Sequence, residues 1–217
     1  MWDDPGLVDV LQIDPLLDAI AAQEPAPGGG STAALVGALA AALCAKVARF
    51  SDDGGSLAQA EALRRRLTAL APEDAAAFVA ALEELRERRD DFDLGRALAL
   101  AADVPLRIAE ACSDVAALGA ALAESGKADV QPDARVASVL AAAAARAAAH
   151  LVEANLGAAP GDARVGRARL LADDAATAAA VLCGRSPQFP ISITSSTPST
   201  ASRSRHSRRP ATTWRHG

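Results

Sequence analysis

Few residues in this sequence have the type and spacing that chemistry requires, and two carboxylates stand out by position. Asp74 lies four residues before Phe78, just after the break at Pro72, and Asp133 follows Pro132 at a helix start. On spacing alone both read best as helix caps or first-turn charges that suit the helix dipole, with acid–base work as the sharper alternative. The body of the chain holds one histidine, His150, near the end of an alanine-rich run, where a packed or surface-capping ring is a simpler reading than a catalytic one. The remaining feature is a loop. Pro25-Ala-Pro-Gly-Gly-Gly-Ser31 leads two stiff prolines into Gly28, Gly29 and Gly30, whose backbones reach angles that residues with a Cβ resist. Ser31 then stands where an N-cap belongs. A glycine loop feeding a helix presents unpaired N–H groups and the positive dipole end to an anion; it also serves as a tight turn that lets two helices approach.

Other chemistries lack their residues. There is no Glu-x-x-His for a di-iron bundle, and no His-x-x-x-His or paired Cys-x-x-Cys to scaffold a metal. The glycine run does not follow a strand and lacks the Gly-Lys-Ser/Thr ending of a phosphate loop, and no Gly-x-Ser-x-Gly supports a serine hydrolase. Neither a metal nor a bound cofactor is expected.

The elements that must position these residues read as helices. The chain has 217 residues, of which 51% are hydrophobic but only 3% aromatic, with no Tyr. Alanine and leucine favour closely packed helices, whereas strands favour β-branched and aromatic side chains, so the expected fold is all-α. The pattern predicts an antiparallel bundle of about five to seven helices around a central Ala/Gly-rich helix. That helix runs from about Ser31 to Phe50, where Ala33, Gly37, Ala41 and Ala45 form a stripe of minimal side chains flanked by Leu35, Leu39, Leu43 and Val47. Before it, Leu7 to about Gln23 carries a helical apolar face, with Leu16 and Leu17 on it, interrupted near Asp14-Pro15. After it, Leu57 to about Arg89 places Leu63, Leu67, Leu70, Phe78, Leu82 and Leu85 inward, kinked or divided at Pro72. Leu94 to about Glu124 follows, kinked at Pro105, then an alanine-rich helix from Asp133 to a stop at Asn155-Leu156-Gly157, and a last helix from about Asp162 to Cys183.

Beyond Cys183 the composition changes. Residues 184–217 hold eight Ser, five Thr and six Arg with no Asp or Glu, which leaves the body, 7–183, as the folded domain and the tail as a disordered segment without essential function. A basic arm for RNA or membrane and a wrongly translated extension are the other readings of that tail. Net charge is −5 overall and −11 for residues 1–183, against nucleic-acid binding. The odd, widely spaced Cys44, Cys112 and Cys183 fit buried thiols in a reducing cytosol. The opening Trp2-Asp-Asp-Pro lacks the form of a secretory signal, and Thr32–Ala45 is too short and alanine-rich to span a bilayer, so a soluble cytoplasmic protein is expected.

Four stretches, in order and at matching spacing, resemble the formiminotetrahydrofolate cyclodeaminase / methenyltetrahydrofolate cyclohydrolase family, the helical domain also found at the C-terminus of formiminotransferase-cyclodeaminase. They are Pro25-Ala-Pro-Gly-Gly-Gly-Ser-Thr-Ala-Ala-Leu35, Glu73-Asp-Ala-Ala-Ala-Phe78, Val104-Pro-Leu-Arg-Ile-Ala-Glu110, and Asp133 to Asn155-Leu156. The resemblance covers about residues 7–183, and its most specific part is the glycine motif with the small-residue helix behind it.

The resemblance implies a subunit that forms a homodimer and binds a reduced folate near Gly28, Gly29, Gly30 and Ser31, with Lys46 or Arg107 offsetting the anionic tail. Its two reactions are cyclodeamination of formiminotetrahydrofolate and hydrolysis of 5,10-methenyltetrahydrofolate. Both pass through a tetrahedral carbon between nitrogens and call for proton shuttling and a carboxylate near cationic nitrogen. The resemblance gives those roles to Asp133 and Asp74, and His150 comes third. With no fused formiminotransferase domain in the sequence, the cyclohydrolase is the simpler expectation. Departures from the family's pattern at Lys46, Val79, Lys127, Asp129 and Pro132 bear on activity more than on fold. The rival reading is a non-catalytic helical module that dimerises through Ala/Gly faces and binds a ligand or partner.

Overall fold

The computed structural model describes residues 13–87, 91–157 and 161–183; the side chains at 91–94, 96 and 181–183 are outside that description. Expectations for residues 1–12, for Leu94, for Cys183 and for the 184–217 tail therefore fall outside the described residues. Those described form six α-helices and no strand: α1 (Asp14–Ala21), α2 (Gly29–Phe50), α3 (Gly54–Arg86), α4 (Asp91–Ser125), α5 (Gln131–Asn155) and α6 (Ala163–Cys183), with a 3₁₀ turn, Ala128–Val130, ahead of α5.

Local chemistry explains the ends. The Asp53 carboxylate accepts from the Ser56 N–H at 2.9 Å and caps α3. Pro132 sits in the first turn of α5, where its missing N–H costs nothing. The Asp162 carboxylate accepts from the Arg164 N–H at 2.9 Å beside the start of α6.

Short links make α2 to α6 antiparallel to their chain neighbours, and side-chain contacts fix the register. Arg169 pairs with Glu153 and Arg146 with Asp173 across α5 and α6, while α2 runs parallel to α4, with Gly37 beside Cys112 and Cys44 beside Val115. The helix axes approach closely because small residues allow it. A Cβ added at Gly119 would lie 2.9 Å from the Ser138 nitrogen and 3.0 Å from the Ala134 carbonyl, a backbone contact between α4 and α5 with nothing flexible to yield. Ala33, Gly37, Ala41 and Ala45 of α2 are all buried, as the stripe predicts. The single central helix becomes a shared role: α2 packs on α3, α4 and α5, and α4 packs on α2, α3, α5 and α6.

Some expectations need correction. Pro72 lies inside a continuous helix and does not divide it, and Pro105 likewise lies within one helix. No residue of α1 is buried, and Leu16 and Leu17 stand exposed in an open apolar groove beside Leu35, Val36 and Leu39 of α2. Leu39 and Leu85 are exposed too, because a bundle this thin leaves part of each apolar stripe uncovered. By length and composition α2 and the stretch Ala128–Asn155 are long and apolar enough to cross a membrane, contrary to the expectation for 32–45, yet 61% of the apolar window of α2 is buried within the bundle as in a core helix.

Candidate active site

The glycine loop and Asp74 meet. α2 begins at Gly29 with Gly28 as its N-cap, so Ser31 is not the cap but a buried residue in the first turn. It is freed for another role: its Oγ donates to the Ala71 carbonyl at 2.8 Å and lies 3.3 Å from Asp74 Oδ2. The carboxyl of Asp74, on α3, rests so close to Gly30 that a Cβ there would overlap it. Gly30 is thus required by approach, and the Thr32 hydroxyl ties the loop down by donating to the Gly28 carbonyl at 2.9 Å. The Ala26–Pro27 peptide leading into the loop is cis.

Asp74 is 9% exposed, and burial pushes its carboxyl above the usual range, while hydrogen bonds from the Ser31 side chain and backbone hold that rise back. The proton count at this point is informative. Ser31 has one hydroxyl proton and two oxygen acceptors, the Ala71 carbonyl and Asp74 Oδ2, so the shorter contact leaves the carboxyl only weakly held by that hydroxyl. The geometry suits a carboxyl group that takes up and gives back a proton.

Asp74 opens onto a cavity of about 280 Å³. Its floor is the glycine loop, and its walls come from Phe78 on α3, Ala101 and Pro105 on α4, and Leu151 and Asn155 on α5. Phe78, expected inward, is 40% exposed and offers its ring to this cavity. The Asn155 amide donates to the Ala101 carbonyl at 2.9 Å. Its part in the site went unread in the sequence, where it served only as a helix stop; the one signal was its place in the fourth matching stretch.

The other predicted residues lie elsewhere. Asp133 is paired with Lys46 at 2.6 Å, with both side chains substantially exposed. Lys46 is about 24 Å farther along α2 than Gly30 at the helical rise of about 1.5 Å per residue. Within one chain, therefore, Asp133 and Lys46 do not share a site with Asp74 and the loop; the antiparallel register of α2 and α5 puts them at opposite ends. Arg107 is an exposed residue of α4 paired with Glu73 at 2.7 Å, outside the cavity wall although Pro105 lines it. His150 points away, into an open polar cleft between α5 and α6 with Arg146, Glu153, Arg169 and Asp173. Burial pushes the thiols of Cys44 and Cys112 up to about 12, so both are protonated and unreactive. Among the described residues, no three His, Cys, Asp or Glu side chains converge as metal ligands.

Known proteins resemble this chain in sequence and in fold. Residues 12–170 match the family model described as formiminotransferase-cyclodeaminase. A protein of Methylorubrum extorquens named methenyltetrahydrofolate cyclohydrolase is 35% identical over 162 residues, covering 66% of this chain and 78% of its own. The crystal structure of formiminotetrahydrofolate cyclodeaminase from Thermotoga maritima superposes with a TM-score of 0.68 at 23% identity, over 81% of this chain and 99% of that one, a likeness of fold.

Proposed function

The chain belongs to the formiminotransferase-cyclodeaminase family, and from that premise we propose that it is a folate one-carbon enzyme in which Asp74 handles the proton. The observation that carries the reading is the buried Asp74 carboxyl, set against the start of α2 and facing a largely apolar cavity. A cavity of about 280 Å³ has room for a fused bicyclic ring and not for a whole folate, so the ring enters and the anionic tail stays outside. Phe78 supplies a face for that ring to stack on.

Of the family's two reactions, hydrolysis of 5,10-methenyltetrahydrofolate is the one we assign, supported by the relative of that name. Water adds to the cationic methenyl carbon and gives up a proton, leaving a tetrahedral carbon between two ring-system nitrogens. One carbon–nitrogen bond then breaks as its nitrogen takes a proton and the new hydroxyl gives up its own to solvent, so a formyl group remains on the other nitrogen and one proton is released overall. A single carboxyl whose affinity for protons is raised by burial can accept the first proton and return it to the departing nitrogen. Gly28, Gly29 and Gly30 bring the positive end of α2 to the site, where it favours the ionised form of that carboxyl before the first transfer and after the second. Asp133, Lys46 and Arg107 take no part in this step within one chain.

The homodimer belongs to this proposal as well. Outward-facing Leu39 on α2 and Val136, Val139 and Leu140 on α5 form apolar surface that a second copy would cover. Light scattering should give twice the chain mass, falling to one chain in L39E/V139E. A cytoplasmic location is supported by the free thiols of Cys44 and Cys112.

The direct test follows the absorbance of 5,10-methenyltetrahydrofolate, corrected for spontaneous hydrolysis. Accelerated loss establishes the cyclohydrolase. Appearance of the chromophore from formiminotetrahydrofolate instead makes it the cyclodeaminase, and silence with both substrates favours the non-catalytic module.

A further inference from the structure

Two prolines lie inside helices, and each deprives a carbonyl four residues earlier of its N–H partner. At Pro72 that carbonyl belongs to Thr68, and both residues are exposed, so water can serve it. At Pro105 the carbonyl belongs to Ala101, and both residues are buried beside the cavity, where a protein donor takes the place of the helical one. Asn155, arriving from the end of α5, donates its Nδ2 to this carbonyl at 2.9 Å.

The consequence falls on the cavity. An Asn amide has a donor side and an acceptor side, and a carbonyl partner fixes which is which. With Nδ2 committed to Ala101, Oδ1 is the atom left to the cavity that Asn155 lines, and among the described residues no donor is bonded to it. We propose that Asn155 is a specificity-determining residue: Pro105 orphans the Ala101 carbonyl, Asn155 satisfies it, and the amide oxygen is thereby locked as an acceptor for an N–H on the edge of the bound ring. This rests on the folate reading, since a reduced pterin carries such N–H groups, and it names how that ring is chosen and oriented. Helix packing alone asks only for the donor; the acceptor is what a ligand would use.

Pro105 provides the means to separate the two jobs, because P105A returns an N–H to the Ala101 carbonyl and relieves Asn155 of its structural duty. The experiment compares wild type, N155A, P105A and P105A/N155A by thermal unfolding without ligand, by KM and kcat for 5,10-methenyltetrahydrofolate, and by calorimetric Kd for tetrahydrofolate. In the Pro105 background N155A should lower Tm by about 2–4 °C, the shift expected for one lost hydrogen bond in a chain of this size. In the P105A background that loss should largely vanish. KM and Kd should rise about tenfold with N155A in both backgrounds, one ligand hydrogen bond's worth. Equal Tm losses in both backgrounds overturn the link to Pro105. A KM and Kd restored in P105A/N155A overturn the recognition role and leave Asn155 a packing residue. A wild-type protein that neither turns over nor binds reduced folate overturns the functional reading and the recognition role together, and the Tm comparison still decides the Ala101 link.

Discussion

Each end of α2 sits beside a carboxylate, and the two surroundings have little in common. At the N-terminal end Asp74 is buried against a glycine, bonded by Ser31 and open to an apolar cavity; at the C-terminal end Asp133 stands substantially exposed with Lys46 as its partner. Burial raises the proton affinity of Asp74, the direction that suits a group which accepts and returns a proton. An exposed ion pair in water contributes little to stability. Position after a proline made the two residues look alike in the sequence, and the fold makes one a candidate acid and the other a surface charge.

The comparison can be broken by exchange of single atoms. D74N should reduce turnover of 5,10-methenyltetrahydrofolate by about 10²–10⁴-fold, the range for loss of a positioned acid–base group, whereas D133N should leave turnover near wild type. An equal loss in D133N would mean that a second copy brings its α5 start to the glycine end of the first, and steady-state kinetics on the two variants decides. G30A comes next: its Cβ overlaps the Asp74 carboxyl, so one of them must move. Overpacking of this kind costs about 1–3 kcal/mol, measurable by denaturant unfolding, and displacement of the carboxyl should lower kcat as well.

Titration sharpens the contrast. Because the carboxyl of Asp74 is raised in the folded chain, it stabilises the protein most in its protonated form, below the ordinary Asp value of about 3.9, and that contribution is lost as pH rises through the folded value. The Tm of D74N relative to wild type should therefore improve from acid toward neutral pH, a trend read by calorimetry at several pH values. The smallest effect belongs to D133N, whose stability loss should stay within about 1 kcal/mol, as for other exposed pairs.

How much of this was legible in the sequence follows from range. The stripe Ala33, Gly37, Ala41 and Ala45 and the glycine loop are local patterns, and they announced the bundle and the loop end of the site. The 9% exposure of Asp74 followed only from the packing of α3 on α2. The separation of Asp133 and Lys46 from that end depends on helix register, and the place of Arg107 outside the cavity on which face of α4 it occupies; spacing along the chain reveals neither. Ser31 looked like a cap because the helix start was placed two residues late. Asn155 was opaque for the same physical reason: its partner Ala101 is 54 positions away, and the need for a donor there arises from Pro105 being buried while Pro72 is not.

The most direct test of the account is the pH profile of methenyl-chromophore loss for wild type and D74N, side by side. The account predicts accelerated hydrolysis by the wild type, governed by a group titrating above the usual carboxylate range, and loss of both the acceleration and that ionisation in D74N. A D74N protein that folds normally and keeps the wild-type rate and profile would contradict it.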